Sequence, residues 1–370
     1  MEAVILIGVL VVLAGIIALE LGIPVAVMEI LFGVIAFNLL GVSSDPWIDF
    51  LADLGVLGIM FFAGMEMDAD ILKRNLAKNL FIGAVIYTVR LMVAFFVALV
   101  FFGFSIAQAV LIGISLSTTS LALVYPVVKE RGSINREEGQ VIISVAMVID
   151  LLSTLSLLFF VQPEHEVFLL AYIVLAILVF YFGPKITRVV FSRYGENIAE
   201  LEVRFILLFL IAMGFLARKL MLSEVIFAFF LGFIFSEIIV GREDVESKLR
   251  GIIFGFLAPV FFFKAGMLMD MRALHIGILG FIITFGIIAY ATVYFMAKYI
   301  FTRWFDENIG RCAGLIFNFR LSFGIIAAIF GLRMGLIGVD IYTSIVLIIL
   351  LASIVSSAFL RFVPSPLEVE

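Results

Sequence analysis

The chain has one cysteine, Cys312, and two histidines, His165 and His275, among 370 residues. A single thiol excludes an intrachain disulfide framework and any multi-cysteine metal site. Both histidines fall in connecting stretches, which argues against a histidine metal centre. Charge is also scarce, at 14% of residues against about 25% in a soluble domain. There is no H-E-x-x-H zinc motif, no nucleophile with a histidine base and no pair of aspartates on facing helices, so an intramembrane enzyme is disfavoured. No Gly-rich dinucleotide fingerprint occurs, so neither a cofactor nor a nucleotide-binding domain is expected, and nothing points to nucleic acid. The apolar N-terminus lacks a basic leader and a small-residue cleavage site, and reads as a first span rather than a signal peptide.

What the chain has in abundance is apolar sequence, 64% of residues, with a mean hydropathy of +1.27. That composition belongs to a polytopic α-helical membrane protein, with the bilayer as its partner. Thirteen apolar segments are predicted, at 3–19, 23–41, 51–67, 79–102, 106–127, 139–161, 167–190, 203–219, 223–240, 251–269, 275–301, 310–333 and 339–362. An odd number places the termini on opposite faces. With the N-terminus outside, most of the 24 Lys and Arg fall on the cytoplasmic side, including Lys73, Arg74, Lys129, Arg131, Arg136 and Arg361. Only Arg218, Lys219, Arg272 and Arg333 fall outside, the bias expected of cytoplasmic loops. The expected location is a cell membrane, with the C-terminus cytoplasmic.

The chemistry centres on Gln140 to Phe160, an apolar run carrying one carboxylate, Asp150, near its middle. At that depth a charged aspartate costs roughly 2.5–3.5 kcal/mol and faces a bundle interior or a wet cavity. A low dielectric disfavours the bare charge, so such an acid holds a proton or a metal cation. This suits a carrier that swaps the two. On a helix, Ser153 and Thr154 share the face of Asp150 and could add oxygens.

A repeat is also legible. Ala63, Gly64, Met65, Met67 and Asp68 close segment 3, and Ala265, Gly266, Met267, Met269 and Asp270 close segment 10, 202 residues and seven segments later. Seven is odd, so the second copy is inverted, as in many secondary transporters. Segments 5 and 12 should then be partners, and both are interrupted by polar residues. Segment 5 carries Ser115, Ser117, Thr118, Thr119 and Ser120; segment 12 carries Asn318, Arg320 and Ser322. The same offset pairs Thr118 with Arg320 and Ser120 with Ser322. Interrupted helices expose carbonyls and half-helix ends that coordinate ions. The plain alternative is hydroxyls bonded back to their own helix.

Two further cations lie inside apolar sequence, Arg90 and Lys264. A buried cation needs a partner, and Glu29, Glu66, Glu224, Glu237 and Asp150 are the candidates for a structural or gating ion pair.

In order and spacing, LGIPVAVMEILFGVIAF (21–37), LADLGVLGIMFFAGMEMD (51–68), GISLSTTSLALVYPVVKERG (113–132), GQVIISVAMVID (139–150), PVFFFKAGMLMD (259–270) and FNFRLSFGIIAAIFGL (317–332) resemble the monovalent cation/proton antiporter superfamily. The likeness is nearest the branch of bacterial Na+/H+ antiporters and glutathione-gated potassium efflux systems. It implies an all-α antiporter fold, two inverted six-helix repeats with crossing broken helices, a dimerisation domain, a mobile core and a homodimer. Segments 5 and 12 would be the crossing helices and Asp150 the ion-binding acid, with Thr118, Thr119 and Ser120 beside it. Repeat one would run over about 1–161, a linker helix over about 167–190 and repeat two over about 203–363, in one transport domain (1–363). Residues 364–370 read as a disordered or appended tail.

Departures from the family refine this. Relatives carry Asp-Asp or Asn-Asp where this chain has Ile149-Asp150. One titratable acid argues for electroneutral, one-for-one exchange of H+ for Na+ or K+. Relatives often read Arg-Gly-Glu where this chain has Arg320-Leu321-Ser322, so an obvious partner of Arg320 is missing. Lys298 matches a basic position that pairs with the acid helix in relatives; its plain alternative is snorkelling near Arg303. Two rival functions are a Na+-coupled carrier of a small organic anion, contacting Arg320 and Arg90, and a passive cation channel.

Overall fold

The computed structural model describes residues 2–43, 45–66, 76–131, 136–157, 181, 185, 189, 193, 200–219, 224–239 and 243–364. Among these there are helices and no strands. In chain order they are α1 (Glu2–Leu21), α2 (Val25–Asn38), α3 (Pro46–Met65), α4 (Leu76–Phe101), α5 (Ile106–Ser117), α6 (Leu121–Glu130), α7 (Glu137–Leu157), α8 (Leu201–Lys219) and α9 (Glu224–Ile239). Then α10 (Glu243–Ile252) runs through a π turn (Ile253–Leu257) into α11 (Ala258–Met267), followed by α12 (Ile276–Trp304), α13 (Glu307–Ile316), α14 (Phe323–Arg333) and α15 (Val339–Leu360). Six helices among the described residues are long and apolar enough to cross a membrane. Every predicted segment except 167–190 coincides with a helix or a broken pair. That segment, like His165, Met67, Asp68 and the tail beyond Pro364, lies largely or wholly outside the described residues.

The two interrupted segments are both broken. Segment 5 becomes α5 and α6, separated at 118–120; segment 12 becomes α13 and α14, separated at 317–322. Hydroxyl and amide side chains compete with the helix for its own backbone groups, so consecutive Ser, Thr and Asn weaken the ladder where they cluster. Thr118 is extended, at φ −70° and ψ 164°. The start of α5 is fixed by a capping box, in which Ser105 Oγ accepts from Gln108 N at 3.3 Å and Gln108 Oε1 accepts from Ser105 N at 3.0 Å.

The chain forms two compact units, one of residues 1–48, 70–153 and 262–370, the other of 49–69 and 154–261. The inverted repeat shows itself in how each unit packs. In the first, a Cβ on Gly33 of α2 would stand 2.0 Å from the Phe263 carbonyl oxygen, and one on Gly266 of α11 would stand 2.0 Å from that of Ile30. In the second, Gly64 of α3 stands in the same relation to Phe229 (2.0 Å) and Gly232 of α9 to Phe61 (1.8 Å). Phe61 and Gly64 lie 202 residues before Phe263 and Gly266, and Ile30 and Gly33 lie 199 before Phe229 and Gly232. One backbone-on-backbone crossing is therefore made twice, each time between helices of opposite repeats. Small residues permit such approaches in apolar bundles.

This contact is testable. Gly232→Ala must push α9 off α3, and we expect a loss of about 1–3 kcal/mol, the usual cost of overpacking. Gly286→Ala, where a Cβ meets nothing within 4 Å, should leave the melting temperature in detergent unchanged. Equal melting temperatures for the two variants would contradict the crossing.

Candidate ion-binding site

Helix α7 brings Asp150 to the gap in segment 5. There its Oδ2 accepts from the backbone N–H of Leu121, the first residue of α6, at 3.1 Å. An acid at a helix N-terminus meets unpaired N–H groups and the positive end of the dipole, which favours negative charge. Arg90, from α4, serves the other side of the gap. Its Nη2 donates to Thr118 O at 2.6 Å and Leu116 O at 3.5 Å, and its Nη1 to Thr119 Oγ1 at 3.2 Å. A cation on the terminal carbonyls of α5 balances that helix's negative end. The hydrogen-bond partners of Arg90 are therefore two carbonyls and a hydroxyl at a helix end, with the Asp150 charge acting on it as well.

The second gap leans on the first. Ser120 N donates to Phe319 O at 2.8 Å, and Thr119 Oγ1 to Phe317 O at 3.3 Å. Ser120 Oγ and Ser322 Oγ share a hydrogen bond of 2.8 Å. These two serines are equivalents under the 202-residue offset, so the pseudo-two-fold relation between the repeats passes through their contact. Arg320, fully buried, donates through Nη2 to Asn318 Oδ1 at 2.7 Å and to Ala289 O of α12 at 2.8 Å; Asn318 Nδ2 donates to Gly314 O at 2.9 Å. In an apolar solvent backbone groups must be satisfied internally, and Ser120 N and Phe319 O satisfy each other across the crossing.

Oxygens remain for a cation. Among the described residues the hydroxyl oxygens of Ser115, Ser117 and Thr118 are buried without a hydrogen-bond partner. A set of hydroxyl, carbonyl and carboxylate oxygens suits a hard monovalent cation. Ser153, predicted to add another, donates to Ile149 O one turn back at 2.7 Å, the plain role for a membrane serine. Thr154 is buried on the next position of α7 and falls in the second unit.

Other assignments shift. The ion pair of Lys298 is with Glu307: its Nζ lies 3.5 Å from Glu307 Oε1 at the start of α13, where Arg311 also reaches Glu307 at 2.7 Å. That Arg311 hydrogen bond, with Lys298 nearby, holds the Glu307 carboxyl below the usual range. Glu66 pairs with Arg250, at 3.2 Å. Glu29 is buried in α2 with no ion pair among the described residues, and Lys264 is half-buried in α11. Sequence reasoning missed the Leu121 N–H, the Leu116 carbonyl and the Ala289 carbonyl, because any residue type supplies the same backbone groups. Partly exposed pairs such as Lys298–Glu307 are worth about 0–1 kcal/mol, so Lys298→Ala should keep both stability and transport. Loss of transport would restore the family role to Lys298.

Two broken helices crossed beside a buried acid define a transmembrane carrier of the inverted-repeat class. The family described as sodium/hydrogen exchanger, transmembrane, matches residues 7–363, and the chain belongs to that family. It is 27% identical over 367 residues to the Na(+)/H(+) antiporter of Enterococcus hirae, covering 92% of each chain. It is 26% identical over 363 residues to YjbQ of Bacillus subtilis (strain 168), covering 90% of this chain but only 58% of that relative's length. The solved sodium proton antiporter MjNhaP1 from Methanocaldococcus jannaschii shares the fold, with TM-score 0.69 and 16% identity, over 100% of this chain and 99% of that one.

Proposed function

We propose that the chain is a secondary active antiporter that exchanges H+ for Na+ or K+ one for one, with Asp150 as the shared site. What supports this is the Asp150 carboxylate on the first N–H of α6, at the gap of a broken helix whose Ser115, Ser117 and Thr118 hydroxyls are buried without a hydrogen-bond partner. Asp150 releases its proton, takes the dehydrated cation with help from Thr118 and its neighbours, and the site then changes the face to which it opens. A bare carboxylate is costly to carry past an apolar barrier, so the step runs only when proton or cation neutralises it. That restriction couples the two fluxes. With Ile149 before it, Asp150 is the one titratable group of its pair of positions, which supports electroneutral exchange. The names of the relatives agree with a sodium and proton substrate. We place the protein in a cell membrane with its N-terminus outside, as a homodimer.

The test is proton movement in proteoliposomes driven by Na+, K+ or Li+ gradients. Movement with at least one of them is expected, and the preferred ion names the substrate. Cation flux without proton movement would mean a channel.

A further inference from the structure

In the first unit, a cavity of about 670 Å³ lies between the end of α1, helix α6 and the end of α15, and reaches Phe319 in the second gap. Its walls are apolar, with Leu19, Ile23, Leu123, Val127, Leu360 and Val363. Its polar lining includes two guanidiniums, Arg131 and Arg361. Both are held in place by helix-end carbonyls. Arg131 donates to Leu360 O, and to Val363 O at 3.0 Å; Arg361 donates to Leu21 O, and to Gly22 O at 2.9 Å. Gly22, at φ 61°, leaves the room Arg361 needs, since a Cβ there would lie 2.3 Å from its Nη2. The cavity lies beside exposed apolar side chains: Leu19 is 77% exposed, and Phe362, between Arg361 and Val363, is 81% exposed.

We propose that this cavity seats one acyl chain of an anionic phospholipid, whose phosphate is held by Arg131 and Arg361. Two fixed guanidiniums make the cavity an unfavourable way in for a cation and a good seat for a phosphate, which pairs with their planar forks. Apolar walls beside an exposed leucine and phenylalanine suit a chain that slides in from the membrane rather than a ligand from water. The volume falls within the roughly 300–1,000 Å³ of sites that hold one flexible ligand. A lipid there joins α6, whose first N–H binds Asp150, to the ends of α1 and α15, and so steadies the half-helix that forms the ion site.

The inference does not depend on the antiport reading, because its test reads binding and not transport. The purified, delipidated full chain is melted with phosphatidylglycerol, with phosphatidylcholine of the same acyl chains, or with inorganic phosphate. Phosphatidylglycerol is expected to raise the melting temperature more than either of the others. Val127→Trp fills the cavity without touching an arginine and should remove at least half of that excess. The double variant Arg131→Gln/Arg361→Gln should do the same; if it fails to fold, Val127→Trp decides alone. Equal shifts from both lipids, an equal shift from inorganic phosphate, or an undiminished excess in Val127→Trp would each overturn the proposal.

Discussion

Asp150→Asn is expected to abolish cation-driven proton movement while the protein still folds and melts near the wild-type temperature. The amide is close in shape to the acid, and its oxygen can still accept from Leu121 N, so the cap on α6 survives. It can neither release a proton nor offer a full negative charge, so both half-reactions stop. Retained stability without activity separates a transport role from a packing role. Full exchange in this variant, measured in proteoliposomes, would remove Asp150 from the centre of the mechanism.

Arg90→Met should be damaging for a different reason. It removes the donor that holds Leu116 O, Thr118 O and Thr119 Oγ1, and each buried acceptor left without a partner costs about 1–3 kcal/mol. It also leaves the negative end of α5 uncompensated beside the carboxylate of Asp150. We expect a lower melting temperature together with at least a tenfold loss of exchange, which corresponds to about 1.4 kcal/mol at the ion site. Arg90→Lys should recover part of each, since an ammonium keeps the charge but lacks the planar fork that spans two carbonyls. A variant Arg90→Met as stable and as active as wild type would show that the gap holds itself open without the guanidinium.

Much of this was legible before any coordinates. A span is about twenty apolar residues, and that signal is local, so the helices were found and the breaks fell where Ser117 to Ser120 and Asn318 to Ser322 cluster. Asp150 stood out because a carboxylate in apolar sequence is costly. The AGMEMD and AGMLMD matches announced an inverted repeat, but not that α2 packs on α11 and α9 on α3. That exchange depends on which glycine faces which carbonyl, and periodicity within one helix cannot report it. The carbonyls that Arg90 binds are hidden in the sequence, which displays carboxylates only. Resemblance points Lys298 toward the acid helix, and its ion pair in the structure is with Glu307.

The central claim is that one acid, Asp150, carries proton and cation in turn. Its most direct measurement is the rate of cation-driven proton movement in proteoliposomes while the membrane potential is stepped, with wild type and Asp150→Asn side by side. The account predicts a wild-type rate that ignores the potential, and no movement in the variant. A rate that follows the potential would mean that a second charge travels and that Asp150 does not carry the exchange alone.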